Sequence, residues 1–197
     1  MNYIQLPFLK LGIPSDNRGL SSLRGLRSTI QLRIICSCSA IPKPGLKLGR
    51  TLSTLIQVTK ELNGTYHNVF HMTIGEDIAQ YGDAYPSVWV NKGKNFHISS
   101  AVSGDLNYAT DYPYNLNQWY HIEILQKETS NGEIIYSIEI DDLTVDLDNY
   151  QSIKTVNTQP QRFEKVILYT SDPWYPSFAS FGELKDLSIV NLDKFPA

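Results

Sequence analysis

Residues 117–148, NQWYHIEILQKETSNGEIIYSIEIDDLTVDLD, constrain the fold more tightly than any other stretch of the chain. Tyr120, Ile122, Ile124 and Gln126 alternate there with Trp119, His121, Glu123 and Leu125. A side-chain period of two marks a β-strand, and the largely apolar first set marks the face turned to a core. Residues 134–140 repeat the period, with Ile134, Tyr136, Ile138 and Ile140 on one face. Ser130-Asn131-Gly132 between the runs tolerates the positive φ that a hairpin connection needs. Asp141-Asp142 is then expected to turn the chain into a third alternating run at 143–147. Trp119, a large aromatic in the middle of this pattern, is expected in the core.

The same punctuation recurs along the chain. Strands are expected at 51–59, at 66–74 with Phe70, Met72 and Ile74 on one face, and at 163–169 and 182–192. Residues 87–90 and 96–102 flank Asn91-Lys92-Gly93-Lys94 and read as a hairpin. Residues 75–85, 104–116 and 170–176 read as loops. No stretch keeps a helical period over ten residues, so the expected fold is all-β, an antiparallel β-sandwich (jelly roll) of about ten strands. The sandwich is placed at 49–192, after a basic N-terminal extension at 1–48 and before a C-terminal tail at 193–197. Within the extension, 28–39 alternates and is expected to hold one strand.

Charge separates these parts. Residues 1–50 carry 8 Lys/Arg against one acid, Asp16, whereas the remainder carries 9 Lys/Arg against 19 acids. An acidic body excludes nucleic acid as the partner, because nucleic-acid surfaces are met by basic ones. No apolar run is long enough to span a bilayer. The extension is rich in Arg and Ser and poor in acids, as transit peptides are, but Arg33 interrupts the apolar stretch that a secretory signal would need. The two cysteines, Cys36 and Cys38, lie in that extension, so the body relies on no disulfide framework.

The order of motifs resembles a known family. Leu116-Asn117-Gln118-Trp119-Tyr120-His121-Ile122-Glu123-Ile124, with the hairpin closing at Ile138-Glu139-Ile140-Asp141-Asp142, resembles the "W-H-x-V-x-V … L-x-V-D-G" core of laminin G-like domains. Residues 181–189, FGELKDLSI, are similar to the family's closing strand. Asp142 stands where the family's hairpin has Gly, and Tyr120 is inserted between Trp and His. The resemblance implies a concanavalin A-like jelly roll in an extracellular setting. It also implies a non-enzymatic binding module for a glycan or an extracellular protein. A structural or adhesive matrix module and a degenerate glucanase are the alternatives.

Glucanases of that superfamily carry E-x-D-x-x-E on one strand, so that nucleophile and acid flank the scissile bond. Glu139 and Asp141 begin the pattern correctly, but its third carboxylate falls on Thr144. Without an acid to protonate the leaving oxygen, no catalytic residues are assigned. His67 and His71 lie four apart, which on a strand is about 13 Å, too far to share an ion. These two, with His97 and His121, are expected to be structural. Calcium, implied by the resemblance, would draw hard oxygen ligands from the loop residues Asp83, Asp105, Asp111 and Asp172. Tyr112, Tyr114, Trp174 and Tyr175 fall in expected loops, where aromatic rings stack on sugars or anchor a partner. Asn63-Gly64-Thr65 is a glycosylation sequon, usable at Asn63 if the chain is secreted.

Overall fold

Period-two alternation, broken every few residues by turn formers, leaves this chain little to build except strands. The computed structural model describes residues 2–5, 31–33, 49–144, 150–161, 163, 166–170 and 172–191. The strands among them are β1 (Asn2–Gln5), β2 (Gln31–Arg33), β3 (Gly49–Val58), β4 (Tyr66–Thr73), β5 (Ser87–Asn91) and β6 (Asn95–Val102). They continue as β7 (Asp105–Pro113), β8 (Trp119–Glu128), β9 (Ile134–Asp142), β10 (Gln151–Val156), β11 (Ile167–Tyr169) and β12 (Gly182–Asn191). They form two antiparallel sheets, ordered β1-β12-β3-β8-β9-β10 and β2-β11-β4-β5-β6-β7. The body therefore gives five strands to each sheet, and β1 and β2 extend one edge of each. This is the expected all-β sandwich.

The core lies between the sheets. Leu52 and Ile56 of β3, Ile122 of β8 and Ile138 of β9 face Phe70, Val88, Phe96, Ile98 and Leu168 of the second sheet, all essentially without exposure. Expected turns take their shapes from the expected residues. Gly132 adopts φ +81° in the β8–β9 hairpin, where Thr129 N–H donates to the Glu133 carbonyl at 2.8 Å. Gly182 opens β12 where only glycine fits, because a Cβ there would sit 2.2 Å from the Gln57 carbonyl.

Three local expectations need correction, and one strand lies where none is expected. Residues 104–116 are not a loop, since β7 occupies most of them and its Tyr108, Thr110 and Tyr112 alternate inward. Asp141-Asp142 does not turn the chain, because β9 runs through Asp142, and 145–147 lie outside the described residues. The polar edge strand β10 was not anticipated. Trp119 is not a core residue: it is half-buried on the outer face of the first sheet, beneath the Lys185 ammonium 3.8 Å from its ring centre. Of the span 28–39 only β2 at 31–33 is described, and the other residues of 6–48 lie outside the described residues, as do 192–197.

Ile138→Ala should therefore cost about 2–5 kcal/mol, the range for a fully buried large-to-small change. Trp119→Ala should cost nearer 1 kcal/mol, the worth of an exposed cation–π contact. Urea denaturation of the two variants checks the order, and a larger loss at Trp119 would reverse the assignment of faces.

Candidate functional site

Alternation on β4 sends Phe70 and Met72 inward and His71 and Thr73 to the outer face of the second sheet. Register sets His71 beside Ser87, Ser87 beside Ser99, Trp89 beside His97, and His97 beside Asp111 across four adjacent strands. Yet His71, Ser87, Trp89 and Ser99 are buried, although they point away from the core. Two loops cover them.

The loop at 172–177 is pinned by a carboxylate. Asp172 Oδ1 accepts the backbone N–H groups of Trp174 and Tyr175 at 3.1 and 2.8 Å, a local turn that Asp forms readily. Its Oδ2 lies 3.1 Å from His71 Nδ1, and neither side chain is exposed. On the other side of the ring, His71 Nε2 donates to the Asp83 carbonyl at 2.5 Å. The Asp83 carboxylate in turn gathers the loop at 75–83. Its oxygens accept from Thr73 Oγ1 and Glu76 N–H at 3.3 Å each, and from Ala79 and Gln80 N–H at 3.0 and 2.9 Å. One imidazole thus joins both loops to β4.

The pinned loop lays its rings over the sheet. Trp174 packs against His71 at 5.4 Å between centroids, and Tyr175 bridges Trp89 and Tyr66 at 5.6 and 6.4 Å. Tyr66 continues the row to His97 at 5.2 Å, whose Nδ1 is 2.7 Å from Asp111 Oδ1. Tyr66, Trp174 and Tyr175 are half-buried, so each keeps part of a ring in solvent, and the His97–Asp111 pair is open beside them. Beneath, Trp89 Nε1 and Ser87 Oγ are buried without a hydrogen-bond partner in the protein.

The sequence's candidates divide accordingly. Trp174, Tyr175, Asp172 and Asp111 share this face, and Asp83 supports it from below. Tyr112 and Tyr114 do not sit in a loop with their rings exposed: both are buried among the core residues, and burial pushes each hydroxyl up to about 12. The four aspartates do not converge as calcium ligands would, and among the described residues no three His, Cys, Asp or Glu side chains form a metal-holding group. Asp105, for its part, accepts the Asn107 N–H at 2.9 Å near the start of β7. Asn63 is exposed in the β3–β4 connection. Sequence reasoning treated His71 and His97 as unremarkable and passed over Tyr66, Asp77 and Trp89. The available signal was the polar set on β4 to β6 opposite an apolar one.

No family model matches the chain, and no curated protein does. Among solved structures it is similar to the PL-14 alginate lyase of Aplysia kurodai, at 10% identity over 73% of this chain and 69% of that one, with a TM-score of 0.45. It is also similar to the CBM40 module of the Ruminococcus gnavus IT-sialidase bound to α2,3-sialyllactose, at 10% identity over 77% and 79%, TM-score 0.42. The α2,6-sialyllactose complex of that module gives 11% identity over the same shares, TM-score 0.40. At these identities the likeness is one of fold alone.

Asp77, which accepts from the Tyr175 hydroxyl at 3.3 Å, reports on the loops electrically. Burial pushes its carboxyl above the ordinary 3.8, while the nearby His71 and the Tyr175 bond pull it back. A raised acid binds its proton more tightly when folded, so its contribution favours folding below the unfolded value and is lost as pH rises through the folded one. Asp77→Asn should therefore melt above the wild type at pH 7, with the gap closing near pH 3. A variant that melts lower at pH 7 would show that the charge is stabilising.

Proposed function

We propose that the chain is a non-enzymatic binding module that recognises a glycan on the outer face of its second sheet. The observation that carries this reading is the row of partly exposed rings, Tyr66, Tyr175 and Trp174, held on a rigid sheet beside the open His97–Asp111 pair. Sugar rings offer apolar C–H faces and hydroxyls that donate and accept. Aromatic planes with an adjacent carboxylate and imidazole supply the complement. Asp77 bonds the Tyr175 hydroxyl and Asp111 the His97 ring, and these carboxylates favour a neutral glycan over an acidic one. The laminin G-like strand motifs support binding over catalysis and an extracellular setting, in which Asn63 would be open to glycosylation. An extracellular protein that buries the same rings is the other partner for this face.

One observation favours a hydrolase. Glu139 and Asp141 project from the outer face of the first sheet, and register sets Glu123 directly opposite Glu139. Cross-strand neighbours have Cβ atoms about 4.5–5.5 Å apart, close to the carboxylate spacing of about 5–5.5 Å in retaining glycosidases. Against this, His121 in the same cluster is engaged by Ser53 at 2.8 Å, and the row of aromatic rings lies on the opposite side of the sandwich.

The test is affinity electrophoresis of the full chain in cellulose derivatives, xylan, mannan and laminarin, with hydrolysis followed in parallel. Tyr66→Ala and Trp174→Ala should each weaken retention about tenfold, some 1.4 kcal/mol, while Trp119→Ala on the far sheet leaves it intact. Hydrolysis should not exceed that of Glu139→Gln. Retention indifferent to Tyr66 and Trp174 would overturn the reading, and turnover lost in Glu139→Gln would replace it with the hydrolase.

A further inference from the structure

We propose that the open cavity at one end of the sandwich, between β7, β8, β9 and β10, is a second site that takes a single neutral sugar ring. It measures about 170 Å³ and is lined by Tyr112, Tyr114, Asn115, Tyr120, Asp142 and Gln151. Register builds it from both sheets. Tyr120 faces Asp142 across β8–β9, Ile140 faces Gln151 across β9–β10, and Tyr112 enters from β7.

Size comes first. A cavity of about 150 Å³ accommodates benzene, so this one accommodates a six-membered ring, and its open side leaves room for a chain to continue into solvent. Charge comes second. Asp142 is buried and held in place, its Oδ1 accepting Thr144 N–H and Oγ1–H at 3.0 and 2.6 Å. Among the described residues the lining holds no Lys or Arg, so an anionic ligand would meet a fixed carboxylate with no counter-charge. Hydrogen-bonding capacity comes third. Phenol hydroxyls and primary amides both donate and accept, whereas a carboxylate only accepts. A ligand that only donates, such as a simple ammonium, would leave the amide N–H groups of Asn115 and Gln151 unanswered. A ring of hydroxyls answers the amides of Asn115 and Gln151 and the carboxylate of Asp142, while the Tyr120 hydroxyl is already engaged, donating to Gln118 Oε1 at 3.0 Å and accepting the Asn115 N–H at 2.9 Å.

Ile140 supplies an apolar wall for the sugar's C–H face.

The cavity shares no residue with the outer face of the second sheet, so the two sites can be tested separately. The measurement is an amide NMR titration of the full chain with D-glucose, D-galactose, D-mannose and D-xylose, and with D-glucuronate and choline as anionic and ammonium probes. At least one neutral sugar should give saturable shifts at residues 114, 115, 120, 142 and 151, with D-glucuronate at least tenfold weaker. Asp142→Asn should weaken the neutral sugar about tenfold. Gln151→Ala, an exposed edge substitution, should weaken it measurably and keeps the test valid if the Asp142 variant does not fold. Trp174→Ala should leave this affinity unchanged even if it abolishes polysaccharide retention. The proposal is overturned if no neutral sugar shifts these resonances, or if choline or D-glucuronate binds more tightly than every neutral sugar. It is also overturned if neither Gln151→Ala nor a folded Asp142→Asn weakens the neutral sugar.

Discussion

The second sheet's outer surface depends on one buried ring. His71 has no exposed side-chain area and meets oxygen on both sides, the Asp172 carboxylate at Nδ1 and the Asp83 carbonyl at Nε2. Burying a polar ring so completely is unfavourable unless both nitrogens find partners. Here those partners arrive from 12 and 101 residues away in sequence. The interaction does more to specify positions than to add stability, since a buried polar pair roughly balances its own desolvation. It selects the single arrangement in which two loops lie over β4, and Trp174 and Tyr175 are where they are because of it.

Stability and function are accordingly separated across the sandwich. Between the sheets the chain buries aliphatic and aromatic residues whose alternation was set by their strands. On the outer face of the second sheet it accepts local costs that a purely structural surface would avoid. Trp89 Nε1 and Ser87 Oγ lack partners, and the Asp77 carboxyl is partly desolvated near two other acids. Such costs gather where a surface is shaped for something other than its own folding.

The architecture was legible because local period and global fold agree. Tyr120, Ile122 and Ile124 against Ile134, Tyr136, Ile138 and Ile140 announced the β8–β9 hairpin, and Asn91-Lys92-Gly93-Lys94 announced β5–β6. β7 was obscured because Pro113 and two aspartates break up Tyr108, Thr110 and Tyr112, so an inward-facing tyrosine period passed for an aromatic loop. β10 was hidden because an edge strand with one neighbour needs little apolar character, and its Gln151, Ser152 and Lys154 are exposed. The site was only half legible. Asp172 and Asp83 read as calcium ligands in the sequence, whereas in the fold their carboxylates accept backbone N–H groups, and that of Asp172 also meets the His71 ring. Nothing local to His71 could announce partners that only the folded sandwich brings to it.

The central claim is that the His71 clamp fixes the aromatic loop on the sheet. Amide hydrogen exchange at Trp174 and Tyr175, the two N–H groups held by Asp172, tests it directly. In the wild type both should be protected. In His71→Ala their protection should fall at least tenfold while the β8 and β9 amides of the first sheet keep theirs. Unprotected exchange at Trp174 and Tyr175 in the wild type, or protection indifferent to His71, would contradict the account.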